Sequence, residues 1–191
     1  MRSTITKMMG VCLIAIFSTS AMAQSNQISL GVDLGIPLGD YGDIASLIVG
    51  PTAGFELPVS DNIGITAQVG YQIILVNSDF SDFIASMSAI PFQAGVKYYV
   101  ADNQEGLYIH AQAGMHAMSV KSEDIDLLGT TIEGETTTNT NFSWAIGAGF
   151  QMDKLDLGLR YNVISANSDV DGASSTSYIG VRAAYLINLG G

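Results

Sequence analysis

The chain has 191 residues, 48% hydrophobic and 13% charged, and its seven basic against eighteen acidic residues give a formal charge of −11. That length fits one domain, and that acidity excludes a nucleic-acid binder, which needs a basic surface. The single cysteine, Cys12, falls in a segment expected to be removed on export, so disulfides, thiol catalysis and thiolate metal sites are excluded from the mature chain.

Residues 1–23 read as a secretory signal peptide. Arg2 and Lys7 supply positive charge, Met8 to Phe17 an apolar core too short to span a membrane, and Ala21-Met22-Ala23 a small-x-small cleavage site. No lipobox precedes Cys12, so lipidation is not expected. The mature chain then begins at Gln24 and carries five basic against eighteen acidic residues, a balance of −13. Residues 24–191 show no linker and no second zone of composition, so one domain is expected, with no peptidoglycan-binding module after it.

From Ile28 onward the chain alternates between apolar and polar or small residues, as in Leu30-Gly31-Val32-Asp33-Leu34-Gly35-Ile36 and Ile63-Gly64-Ile65-Thr66-Ala67-Gln68-Val69-Gly70. A period of two predicts β-strands. Eight are expected, over 27–37, 50–58, 63–76, 89–100, 107–120, 141–152, 155–163 and 177–189, each of a length that crosses a bilayer with tilt. Short connections at 60–62, 102–106 and 153–154 alternate with long ones at 38–49, 77–88, 121–140 and 164–176. Short periplasmic turns and longer outer loops are the layout of a membrane barrel. Phe80, Phe83, Ile84 and Met87 suggest a helical turn in the second long loop, and the third is long enough for its flanking strands to project beyond the membrane.

The apolar face points outward. It bears no charge in any strand, and it is too bulky to fit inside eight strands, whose interior is only just filled by side chains. The other face is rich in glycine, which suits a crowded lumen. Phe92, Phe142, Trp144 and Tyr161 toward one end, with Tyr98, Phe150 and Tyr185 toward the other, resemble two interfacial girdles. The expected fold is therefore all-β: an eight-stranded antiparallel up-and-down transmembrane β-barrel. Its inward row carries three acids (Asp33, Glu56, Asp156) and three bases (Lys97, Arg160, Arg182), with Gln68, Gln72, Gln93, Gln112, Tyr99 and Tyr108 between them. Unpaired charge is costly there, so an internal salt-bridge network that plugs the lumen is expected.

Ile90-Pro91-Phe92 with Gly95-Val96-Lys97-Tyr98-Tyr99-Val100, the hairpin Ala145-Ile146-Gly147-Ala148-Gly149-Phe150 and Leu155-Asp156-Leu157-Gly158-Leu159-Arg160-Tyr161, and the closing Tyr178-Ile179-Gly180-Val181-Arg182 come in the order seen in small outer-membrane barrels. In these stretches the chain resembles the OmpX-like and OmpA-barrel-like family of Gram-negative bacteria. The resemblance implies an outer-membrane location. It departs at the C-terminus, where Leu189-Gly190-Gly191 stands in place of the aromatic that many members carry.

Some barrels of this kind modify lipid A with a histidine, a serine and a carboxylate. His110 and His116, the only histidines, both lie on the inward face of one strand, about 20 Å apart and out of reach of lipid. No catalytic residue and no cofactor is therefore assigned. Asn167, Asp169 and Asp171, with Gly172, match the opening half of a calcium loop, but Tyr178 stands where a bidentate glutamate belongs, so the metal reading is weak. The outer loops hold Asp40, Asp43, Asp79, Asp82, Glu123, Asp124, Asp126, Glu133, Glu135, Asp169 and Asp171 against Lys121 alone. Divalent cations at these loops would bridge them to anionic lipopolysaccharide. The expected protein is a non-enzymatic scaffold for acidic loops that serves envelope integrity, adhesion or surface interaction. It contacts outer-membrane lipid and lipopolysaccharide and is monomeric. A larger membrane complex could form where Ala111, Ala113 and Ala117 allow close approach. The alternatives are a narrow channel for small solutes, a lipid-modifying enzyme, and a soluble lipocalin-like carrier with the faces reversed.

Overall fold

Alternating residues that favour a pleated surface give long strands, and their pairing closes a ring. The computed structural model describes residues 25–81, 83–101, 104–123, 125–127, 130–132, 134–166 and 174–189. In chain order its elements are β1 (Gln27–Leu38), α1 (Asp40–Ile44), β2 (Ala45–Ser60), β3 (Ile63–Gly70), β4 (Gln72–Val76), β5 (Ile84–Tyr99), β6 (Gly106–Ser122), β7 (Ile125–Leu127), β8 (Thr130–Ile132), β9 (Thr136–Met152), β10 (Leu155–Ile164) and β11 (Thr176–Asn188). Every neighbouring pair is antiparallel, and β1 pairs with both β2 and β11, which closes the barrel.

β3 and β4 form one stave, because both pair with β2 on one side and β5 on the other in a continuous register. The interruption at Tyr71 has a local cause. Pro51 on β2 and Pro91 on β5 flank this point, and neither has an N–H to give the ladder. Tyr71 N–H still donates to Pro51 O at 3.0 Å. The barrel thus has eight staves, and β7 pairs only with β8 in a small separate ribbon.

The outward row is hydrocarbon. Leu30, Leu34, Ile65, Val69, Ile90, Phe92, Ile109, Met115, Ile146, Leu159, Val181 and Tyr185 are all exposed to the surroundings. Trp144 and Tyr161 meet edge to face on this surface at 6.2 Å. So large an apolar belt is stable only against lipid. No helix among the described residues is long and apolar enough to cross a membrane, and the strands form the wall.

Three staves rise higher than predicted. β2 begins at Ala45, β5 at Ile84 and β9 at Thr136, each about five residues before its predicted start. The top of β9 is polar on both sides, and in Ile84-Ala85-Ser86-Met87-Ser88 at the top of β5 the apolar residues do not alternate, so the period of two that signals a half-buried strand is missing at both. The first long loop shrinks to the helical turn α1, and the second to a 3₁₀ turn at Ser78–Phe80, with Ile84 and Met87 in β5. β6 and β9 stay paired up to Lys121 and Thr136.

Candidate functional site

The lumen is filled in layers. At the end with short turns, which is periplasmic in such barrels, Lys97 Nζ lies 3.0 Å from Glu56 Oε2 and 3.0 Å from Asp156 Oδ2, above the Tyr108 ring at 4.3 Å. The Tyr108 hydroxyl donates to Asp156 Oδ1 at 2.5 Å. The Tyr99 hydroxyl is 2.7 Å from Glu56 Oε1 and 2.9 Å from Gln151 Oε1. Arg182 reaches Asp156 Oδ2 at 3.0 Å and donates to Ser29 Oγ at 2.7 Å. Charge-assisted bonds of this kind are short and strong, and here they satisfy charges removed from water.

A second pair sits above the first. Arg160 Nη2 binds Asp33 Oδ2, which Gln68 Nε2 also approaches at 3.4 Å. Arg182 Nε, 4.0 Å from Asp33 Oδ1, links the two layers. All six charged residues of the inward row are buried. Lys97 and Arg182 share Asp156, Glu56 adds to Lys97, and Asp33 serves Arg160. Beside this network remains a cavity of about 30 Å³, lined among others by Ser29, Tyr108, His110 and Gln112, with room for a water or two. Glycines leave space for the large inward side chains: a Cβ on Gly149 would strike the Tyr108 ring, and one on Gly147 the His110 imidazole.

Above the second layer the lumen is filled by the buried Tyr178. Its hydroxyl accepts from Gln72 Nε2 at 3.0 Å and lies 3.4 Å from His116 Nε2. His116 and Asn162 are fully enclosed. At the outer mouth Tyr41, Ala45, Ile48, Ile74, Ala89, Ile164 and Tyr178 form an apolar cluster, backed by Met87 and Met118. α1 supplies Tyr41, folding the loop inward over the opening. Burial pushes the Tyr41 phenol above its ordinary pKa.

Sequence reasoning missed several of these parts. Gln151 and Asn162 lie at inward parity and needed only to be counted. Tyr41 sits in a stretch with no alternation. Gln104 carries no sequence signal: a left-handed backbone at φ 55° tucks it under the barrel, where its amide donates to Ser60 O and Ile63 O. Gln151 Nε2 in turn donates to Gln104 O at 3.1 Å, so this turn seals the periplasmic end.

His116 is fully enclosed in the lumen, and His110, half-buried, turns its buried Nε2 to the interior beside the cavity. Asn167, Asp169 and Asp171 lie outside the described residues, as do Asp82, Asp124, Glu133 and residues 1–24. No cluster of three metal-ligating side chains occurs among the described residues. Ala111 and Ala113 face outward; Ala111 and Ala148 line a shallow groove flanked by Tyr98, Ile109, Ile146 and Tyr161.

Outside the membrane the staves end at unequal heights. Met115 pairs with Phe92 on one side and Phe142 on the other, marking the outer girdle. β6 runs seven residues further, about 20 Å. β10 stops at Ile164, opposite Ser143. β5, β6 and β9 therefore form a tall wall, and Ser119 Oγ and Thr138 Oγ1 bond across it at 2.9 Å.

The profile of the outer membrane protein beta-barrel domain matches residues 9–185. No curated protein sequence matches the chain. Among solved structures, Ail, the attachment invasion locus protein of Yersinia pestis, aligns with 86% of this chain and 99% of its own at 14% identity and a TM-score of 0.57. Ail is also known in complex with the heparin analogue sucrose octasulfate. The N-terminal barrel of OprF from Pseudomonas aeruginosa aligns with 86% of this chain and 98% of its own at 8% identity, TM-score 0.56. Neisserial surface protein A aligns with 86% of this chain and 97% of its own at 14% identity, TM-score 0.55. These likenesses carry the fold. The closed eight-stave ring, the lipid-facing belt and the profile match together place the chain in the outer membrane of a Gram-negative bacterium, as a member of the outer-membrane β-barrel domain family.

Proposed function

We propose that this protein is a non-enzymatic scaffold whose filled barrel holds an extracellular wall for surface interaction. The wall carries the reading. β5, β6 and β9 continue well past the girdle into water, where membrane insertion does not require them. Function in such folds resides in what the scaffold presents outside. The expected surroundings are outer-membrane lipid and lipopolysaccharide, the barrel being monomeric, with weak Ca²⁺ or Mg²⁺ association at the acidic loops. The sulfated-sugar chemistry seen with Ail does not carry over, since Lys121 alone opposes the acids of these outer loops.

The test replaces residues 119–138 by a tight turn. The barrel is expected to keep its heat-dependent gel mobility, while cells bearing it lose attachment to protein-coated surfaces. Attachment equal to wild type overturns the reading. A narrow channel is the second reading, favoured only by the small cavity beside His110. Stable conductance in the nanosiemens range across a planar bilayer would establish it and contradict the filled lumen.

A further inference from the structure

One ring from a loop completes the apolar cap at the outer mouth. Tyr41, on α1, is 4% exposed and seated among Ala45, Ile48, Ile74, Ile164 and Tyr178. The Tyr178 hydroxyl is already engaged: Gln72 Nε2 donates to it at 3.0 Å, and His116 Nε2 lies 3.4 Å away. The Tyr41 hydroxyl is buried and bonds to no described residue. A hydroxyl in that position gives up its water and gains nothing in return. A phenol therefore fits this socket worse than a plain phenyl ring would.

The element that delivers the ring is lightly held. α1 has five residues and no side-chain cap at its N-terminus, and Gly39 before it takes φ 58°, which glycine adopts readily. A helix this short has no stability of its own. Its bonds to the second outer loop come from one residue. Asn77 Nδ2 donates to Gly42 O at 3.0 Å and to Asp43 O at 2.8 Å, and Asn77 N–H donates to Ile44 O at 2.8 Å. The socket that remains when α1 lifts is built on the staves, so it outlasts the lid. Met87 and Met118 back it, and their flexible thioethers adapt to aromatic rings and favour contact with them. The rim is acidic: Asp40, Asp43 and Asp79 are exposed, and Lys121 is the one base of the outer loops.

We infer that the socket beneath α1 binds a single-ring aromatic amine, whose ring takes the place of Tyr41 and whose ammonium group meets the acidic rim. Tyr41 is then a stand-in for the ligand, and α1 closes the mouth when no ligand is bound. Two features set the chemistry. A ring without a hydroxyl fills the same hydrocarbon socket and leaves no polar atom unpaired. A positive charge at its other end is drawn to Asp40, Asp43 and Asp79, whereas an anion is repelled. The charged layers fill the lumen below, so the ligand is held at the cell surface and not carried through.

The experiment uses the full mature chain in neutral detergent micelles at pH 7. The probe is phenethylamine, followed through the methyl NMR signals of Ile48, Ile74 and Ile164, which report the socket and not the micelle. These signals are expected to shift saturably, and protease is expected to cut within residues 39–45 faster as the probe is added. Tyramine, the same molecule with a phenol hydroxyl, should bind about tenfold more weakly. Phenylacetate, with the charge reversed, should not bind. Tyr41→Phe improves the fit of the lid itself, so phenethylamine should bind it about tenfold more weakly than wild type. Asn77→Ala loosens the lid and should tighten binding severalfold. Asp40→Asn with Asp79→Asn should weaken binding and flatten its salt dependence. Unmoved methyl signals in wild type overturn the inference. Equal shifts with phenylacetate mean partition of any ring into the mouth and also overturn it. So does saturable binding that leaves cleavage within residues 39–45 unchanged, because the ring of Tyr41 has then not been displaced. Tyr41→Phe removes a single oxygen, and it decides the matter should Asn77→Ala disturb the barrel: binding equal to wild type sinks the competition between lid and ligand.

Discussion

At the periplasmic end of the lumen Glu56, Lys97, Tyr99, Tyr108, Gln151 and Asp156 close the barrel with hydrogen bonds; at the outer end Tyr41, Ile48, Ile74 and Ile164 close it with hydrocarbon. The difference follows from what each closure is attached to. The polar layer hangs from staves held rigid by lipid and by continuous ladders, so its short, directional bonds stay aligned. The apolar cap includes a residue of a five-residue helical turn, α1, whose first turn carries Asp40 and Asp43 and whose N-terminus has no side-chain cap. Apolar contact tolerates small shifts that a hydrogen bond does not. The lower closure is thus wholly part of the barrel, whereas at the upper one α1, which brings Tyr41 onto stave residues, is a local unit that can open alone.

The largest expected effect tests the lower end. Asp156→Ala strips a partner from Lys97, Arg182 and Tyr108 at once and leaves buried charge unpaired, which costs about 3–5 kcal/mol in the urea midpoint of unfolding in micelles. Ile48→Ala at the upper end should cost about 2–4 kcal/mol, but with a different signature. Protease should cut within residues 39–45 while the barrel keeps its folded gel mobility. Simultaneous loss of both signals would erase the contrast between the ends. Exchanging the Asp33–Arg160 pair together, as Asp33→Leu with Arg160→Met, should change stability by about 1 kcal/mol or less, whereas Arg160→Met alone should be severalfold worse. A double variant as weak as the single one would show that volume, and not charge pairing, governs this layer. Ser119→Ala, on the exposed wall, should stay within about 0.5 kcal/mol by the same urea assay.

How much of this is legible in the sequence depends on the range of the interaction involved. The eight staves and the outward hydrocarbon row follow from a period of two, since side chains on a strand alternate without exception in a regular ladder. Partners within the lumen are a different matter. Lys97 meets both Glu56 and Asp156, and Arg160 meets Asp33 127 residues away, only because of the registers of the strand pairs between them. Nothing local to Arg160 names Asp33. The far end of β9 was hidden for the opposite reason: Thr136 to Thr140 are polar on both faces, so a true strand reads as loop. Gln104 was hidden because a glutamine rarely takes the left-handed backbone, and composition gives no sign that this one does.

The seam between β1 and β11 joins the first and last staves of the barrel, and the lumen charges are divided across it. Asp33 belongs to the first stave, Arg160 and Arg182 to the last two. Each hairpin of the barrel can form with its own neighbours as the chain threads in, but this pair cannot exist until the circle is complete. Before that moment the guanidinium groups face an unfinished wall and must keep water or a chaperoning surface beside them. Closure therefore does more than zip the final ladder: it is the step at which the interior becomes dry, and a chain released into lipid before it carries its charges with it.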